Sequence, residues 1–110
     1  MQIDATKEGN AVVMSLKGRL DAAASSEFET KLSDWISKGD SNFLLNFTDL
    51  EYISSAGLRS ILATSKKLKE RDGKILLAGL RGPVEEVFKI SGFMSIFKVY
   101  ATAEAARKEI

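Results

Sequence analysis

The sequence predicts an α/β fold, a mixed β-sheet of four to five strands covered by about four α-helices, in a single domain over residues 1–110. Three observations carry this expectation. Short apolar runs and segments of 3.6-residue periodicity alternate along most of the chain, which implies parallel strands joined by helical crossovers. The N-terminal segment instead offers two short strands around a Gly-Asn turn, the mark of an antiparallel hairpin at one side of a sheet. A chain of 110 residues is also long enough to bury roughly 65% of its unfolded surface, so no metal or disulfide is needed to hold one core together.

Residues 2–7 make the weaker strand, with Ile3 and Ala5 alternating against polar neighbours. After Glu8-Gly9-Asn10, residues 11–17 set Val12, Met14 and Leu16 on one face and Val13, Ser15 and Lys17 on the other. Gly18-Arg19-Leu20-Asp21 then leads into a helix over residues 22–37, where Phe28, Leu32, Trp35 and Ile36 form one apolar stripe. Asp21 stands at the N-cap position and is expected to accept from first-turn amides, which leaves it able to face a partner as well. Lys38-Gly39 stops that helix.

Residues 42–47 form an apolar run without clean alternation, as expected of a strand covered on both faces. A helix is expected over residues 56–72, with Leu58, Ile61, Leu62, Ser65 and Leu68 inward and the basic Lys66, Lys67, Lys69 and Arg71 mostly outward. Residues 74–79 hold the next strand. Gly82-Pro83 opens a short helix, with proline where its missing N–H is not needed. Val84, Val87 and Phe88 give that helix its apolar face, and Ser91-Gly92 ends it. A last strand near residues 96–100 and a helix over 103–110, capped by Thr102, complete the order β-β-α-β-α-β-α-β-α.

Composition narrows the chemistry. Sixteen basic and fifteen acidic residues give a formal charge of +1, too balanced to announce a nucleic-acid or membrane partner. The absence of cysteine removes thiolate nucleophiles, disulfides and Cys-type zinc sites. The absence of histidine removes a Ser-His-Asp triad and the usual general base near neutral pH. The first residues, Met1-Gln2-Ile3-Asp4-Ala5-Thr6-Lys7, lack the pattern of a signal peptide, and no segment approaches the ~20 apolar residues of a membrane span. The expectation is a cytoplasmic protein with no membrane insertion, no cofactor and no metal.

The stretch from Asp49 to Leu62 is the chemically suggestive one. Ser54 and Ser55 lie where a strand hands over to a helix, at the sheet edge where α/β proteins usually meet ligands and partners. A serine there can cap the helix, act as a nucleophile or accept a modifying group. Catalysis lacks a base, and Ser55-Ala56-Gly57 lacks the first glycine of a Gly-x-Ser-x-Gly elbow. Nucleotide binding lacks both glycine-rich phosphate motifs, leaving only the generic attraction of a helix start for anions. Capping by one of the two serines is expected. It does not by itself account for a pair of serines followed by the small Ala56 and Gly57, which leave a hydroxyl reachable by another protein's active site.

Gly18-Arg19-Leu20-Asp21 and Asp49-Leu50-Glu51-Tyr52-Ile53-Ser54-Ser55-Ala56-Gly57-Leu58, in this order of strands and helices, resemble the STAS domain of bacterial anti-sigma factor antagonists. Val87 to Phe93 is similar to that family's third helix and the loop after it. The resemblance covers essentially the whole chain. It implies a non-enzymatic protein that acts by partner switching. Unphosphorylated, it binds an anti-sigma factor that is also a serine kinase and releases that factor's target; phosphorylation reverses binding, and a serine phosphatase removes the mark. The family's Asp-Ser-Ser/Thr-Gly-Leu falls on Ser54-Ser55-Ala56-Gly57-Leu58, which implies Ser55 as phosphoacceptor, Ser54 as second choice, and Asp21 with residues 54–58 as the partner-binding surface. Ser54 stands where the family often has Asp, which removes a charge beside the acceptor and adds a second hydroxyl. The alternative is a non-phosphorylated scaffold or accessory STAS subunit of another regulatory or membrane-associated complex, its serines serving only as caps.

Overall fold

The computed structural model describes residues 1–110. Its elements run β1 (Gln2–Glu8), β2 (Ala11–Leu20), α1 (Ala22–Ser37), β3 (Asn42–Ile53), α2 (Ser55–Lys69), β4 (Lys74–Ala78), α3 (Gly82–Ile90), β5 (Lys98–Tyr100) and α4 (Ala103–Arg107), with a 3-10 turn at Phe93–Ser95. The strands stand in the sheet in chain order. β1 pairs antiparallel with β2, and β2 to β5 pair parallel. The expected hairpin edge and the helix-covered mixed sheet are both present, with five strands and four α-helices.

Side-chain parity sorts the two faces. Val12, Met14 and Leu16 of β2, Phe43, Leu45 and Phe47 of β3, and Ile75 and Leu77 of β4 join Phe28, Leu32 and Ile36 of α1, Ile61 and Leu68 of α2, and Val84 and Phe88 of α3 in one core. The alternate residues Val13, Leu44, Leu76 and Ala78 meet Ala103 and Ala106 of α4 on the opposite face. β3 is therefore apolar at consecutive positions because helices cover it on both sides. An aromatic row, Phe47–Phe88–Phe93–Phe97, with centroid separations of 5.8, 6.0 and 5.8 Å, closes the α3 end of the larger core.

Five elements depart from the sequence reading at their boundaries. β2 continues past Lys17 to Leu20 and β3 past Phe47 to Ile53, pairing Gly18 with Leu50, Arg19 with Tyr52 and Leu20 with Ile53 across two register shifts. The backbone groups of each extension are satisfied by the other, so glycine and charged side chains do not end the strands. α2 starts at Ser55 and ends at Lys69, and its buried stripe is Gly57, Ser60, Ile61, Thr64, Ser65 and Leu68, with Leu58 and Leu62 only half-buried. Small hydroxyl residues occupy the inner face because α2 packs against α1 as well as the sheet. The polarity of Ser60 and Thr64 is met within the fold: Ser60 Oγ donates to Glu29 Oε1 at 2.9 Å and Thr64 Oγ1 to the Ser60 carbonyl at 2.8 Å. β5 begins at Lys98 rather than 96, since the 3-10 turn occupies Phe93–Ser95. α4 ends at Arg107, where the chain tightens into a Glu109 to Ala106 backbone bond.

Gly73 sets how closely β4 follows α2. A Cβ there would lie 2.1 Å from the Ser41 carbonyl oxygen, a backbone atom already accepting from Lys74 N–H at 3.0 Å. Gly73→Ala is expected to lower the unfolding free energy by about 1–3 kcal/mol, read as a shift of the urea midpoint with unchanged slope.

Candidate functional site

The site is built on one carbonyl. Leu20 ends β2, and its oxygen accepts the Ser54 N–H at 2.9 Å and the Ser54 hydroxyl at 3.1 Å. Ser54 is extended, with φ −91° and ψ 171°, and its Oγ also accepts from the Gly57 N–H at 3.1 Å, the N-cap bond of α2. The residue after Leu20 is Asp21, the N-cap of α1. Its Oδ1 accepts from the Ala24 N–H at 2.9 Å, and its main-chain oxygen accepts from Ser25 N at 2.9 Å and Ser25 Oγ at 2.7 Å. Two helix starts are thus fixed to the adjoining ends of two parallel strands, at the carboxyl edge of the sheet.

Gly57 lets α2 lie this close. A Cβ at Gly57 would sit 2.9 Å from Ile53 Cγ1, 2.9 Å from the Leu20 oxygen and 3.0 Å from Leu20 Cγ. Gly57 is buried, and the absence of a side chain lets helix and strand approach. Ala56 and Leu58 are half-buried, Leu58 against the main core. Ser55, the first residue of α2, is exposed, and its hydroxyl makes no hydrogen bond within the chain. Of the two serines, Ser54 is engaged as both donor and acceptor, and Ser55 is free.

The surroundings favour an anion at Ser55. A helix start carries a partial positive charge and unpaired amides, and the first turn of α2 contains no acidic residue to neutralise them. Asp21 is half-buried and occupied with its own cap. Beside it lies an open depression of about 660 Å³ whose lining includes Arg19, Glu27 and Glu51. Sequence reasoning missed one feature here. The Arg19 guanidinium lies 4.1 Å from the centroid of the Tyr52 ring, which is 38% exposed, giving a stacked cation–aromatic pair on the outer side of the strand extensions. Nothing in the one-dimensional sequence signals the pair, because it exists only through the β2–β3 register. No group of three or more His, Cys, Asp or Glu side chains is placed to hold a metal ion, and no helix is long and apolar enough to cross a membrane.

These features define a class: a small α/β domain that presents one free hydroxyl at a helix start on the carboxyl edge of its sheet. The model of the STAS domain matches residues 2–106, and the chain belongs to that family. A candidate anti-sigma factor antagonist of Bordetella bronchiseptica, BtrV, is 38% identical over 106 residues, covering 96% of this chain and 91% of that protein. Among solved structures, an anti-sigma factor antagonist candidate from Thermotoga maritima superposes with a TM-score of 0.92 at 23% identity, covering 98% of this chain and 93% of its own. The Bacillus cell-fate determinant SpoIIAA in its phosphorylated form superposes at 0.79 with 25% identity, covering 98% of both chains.

The two serines should separate in a stability experiment. Ser54→Ala removes both the cap and the tie to Leu20 and is expected to cost about 1–2 kcal/mol. Ser55→Ala removes no bond and is expected to stay within about 0.5 kcal/mol of the parent. Urea unfolding followed by circular dichroism measures both.

Proposed function

We propose that this protein is an anti-sigma factor antagonist that works by partner switching, with Ser55 as the phosphoacceptor. Unmodified, it binds an anti-sigma factor that is also a serine kinase, through Asp21, Ser55 and the exposed atoms around them, and so frees that factor's target. The kinase transfers the ATP γ-phosphoryl group to Ser55. The Oγ–P bond forms, the P–O bond to the ADP leaving group breaks, and the hydroxyl proton passes to a base on the kinase. A serine phosphatase hydrolyses the ester and restores binding.

The observation that carries this reading is the division of labour between the serines. Ser54 Oγ is held by Gly57 N–H and the Leu20 carbonyl, whereas Ser55 Oγ is exposed and unbonded. The similarity to BtrV over 96% of the chain and to a solved antagonist in phosphorylated form supports it. Physically, a phosphate at Ser55 adds about −1.5 to −2 charges at a helix start that tolerates them. The fold should therefore survive modification, while the interface loses affinity through bulk and through repulsion from partner carboxylates. A loss of ~3 kcal/mol weakens binding more than about a hundredfold.

Binding to anti-sigma factor kinases of the source organism, measured by titration calorimetry, tests the proposal. Wild type and Ser55→Ala should bind alike, and Ser55→Asp should bind about a hundredfold more weakly with an unchanged far-UV spectrum. With ATP, mass spectrometry should place one phosphate on Ser55 in wild type and in Ser54→Ala, and none in Ser55→Ala. Equal binding by Ser55→Asp would remove the switch and leave the scaffold reading, in which both serines matter only to the helix.

A further inference from the structure

The end of α2 remote from Ser55 holds a second concave site. A cavity of about 180 Å³ opens between the last turns of α2 and the first residues of β4 and β5. Phe97, 7% exposed, and Ile96, 51% exposed, give it an apolar wall. Lys69, Lys74 and Lys98 line it from three different elements, and no carboxylate does. Lys74 Nζ donates to the main-chain oxygen of Glu109 at 2.8 Å; Lys69 and Lys98 have no ion pair or hydrogen-bond partner.

Ser65 supplies an independent observation. It lies in the middle of α2, is 6% exposed and lines the same cavity. A mid-helix hydroxyl normally bonds back to the carbonyl four residues earlier, as neighbouring Thr64 does to Ser60. Ser65 Oγ has no hydrogen-bond partner in the chain, yet no side-chain polar atom is sealed from solvent without one. Its hydroxyl is therefore open to the cavity. Lysines near a helix C-terminus are accounted for by the helix dipole, which covers Lys69. That account does not extend to Lys74 and Lys98, which begin two strands, or to the free hydroxyl.

We infer that this cavity binds a small amphiphilic anion, with a compact apolar tail against Ile96 and Phe97, its charge among Lys69, Lys74 and Lys98, and a hydrogen bond with Ser65. The volume is below the roughly 300–1,000 Å³ of drug-sized sites, so the ligand is a short-chain carboxylate or phosphate ester rather than a nucleotide or a diacyl lipid. The site is separate from the serine turn and does not depend on the partner-switching reading.

Hexanoate and hexyl phosphate, titrated into the labelled full-length protein and followed by ¹H–¹⁵N correlation spectra, test the inference. Saturable shifts at Ser65, Lys69, Ile96 and Lys98 with either probe are expected, and the tighter probe identifies the preferred head group. Acetate, inorganic phosphate and hexylammonium should give no saturable shifts there. Lys98→Glu and, separately, Ile96→Asp should each weaken the better probe about tenfold or more, while Lys66→Glu, outside the cavity, should not. Absence of saturation with both probes overturns the site. Equal binding of acetate or inorganic phosphate would reduce it to a lysine patch, and equal binding of hexylammonium to a nonspecific apolar contact; either result also overturns the inference.

Discussion

The Leu20 carbonyl is the point on which the rest of the site depends. It takes both the amide and the hydroxyl of Ser54, and so fixes the end of β3 to the end of β2. The same residue precedes the cap of α1, while Ser54 is itself the cap of α2. One acceptor thereby positions two strand ends and two helix starts. A side chain larger than hydrogen at Gly57 would meet that oxygen at 2.9 Å, so the glycine and the double acceptance are parts of one constraint. Ser55 inherits its position from this arrangement without contributing a hydrogen bond to it. A hydroxyl that holds nothing in place can be modified without disturbing the structure that presents it.

Much of the fold was legible because periodicity reports burial. The stripe Phe28, Leu32 and Ile36 and the unbroken run Phe43-Leu44-Leu45 each faced what their spacing implied. What periodicity could not show was pairing. Residues 18–20 and 49–53 contain Gly18, Asp49 and Glu51, each a poor strand former in isolation, and they are strands only because they pair with one another. The inner face of α2 was misread for a related reason. Ser60 and Thr64 count as polar in any hydropathy pattern, yet they are buried where α1 lies alongside, with their hydroxyls satisfied by Glu29 and by the helix itself.

The candidate site shows the same division. The residues Asp21, Ser54, Ser55 and Gly57 were recognisable as a group, and the cap at Asp21 followed from its place before an apolar-striped helix. Which serine is engaged was not recognisable. Adjacent serines before a helix are equivalent until the backbone is placed, and a one-residue change in the helix start exchanges their roles. Starting the helix at Ser55 rather than Ala56 puts the extended conformation on Ser54, and only an extended N-cap residue can turn its hydroxyl back to the first-turn amides. The Arg19–Tyr52 stack was less accessible still, since it is a cross-strand pair on strands whose extension was itself unseen.

The two ends of α2 attract anions for opposite reasons. At Ser55 the helix is the source: its unpaired amides and dipole favour negative charge, with no basic side chain required in the first turn. At the other end the same dipole opposes an anion, and Lys69 of the last turn, with Lys74 and Lys98 from the adjoining strands, is needed to offset it. Any anion held near Ile96 and Phe97 thus owes its attraction to flexible, hydrated ammonium groups, together with burial of its apolar part. Attraction of that kind is screened by salt, whereas backbone amides fixed at the start of a helix are already aimed and need little reordering. The serine end is therefore suited to a covalent mark of fixed geometry, and the lysine end to a ligand that comes and goes.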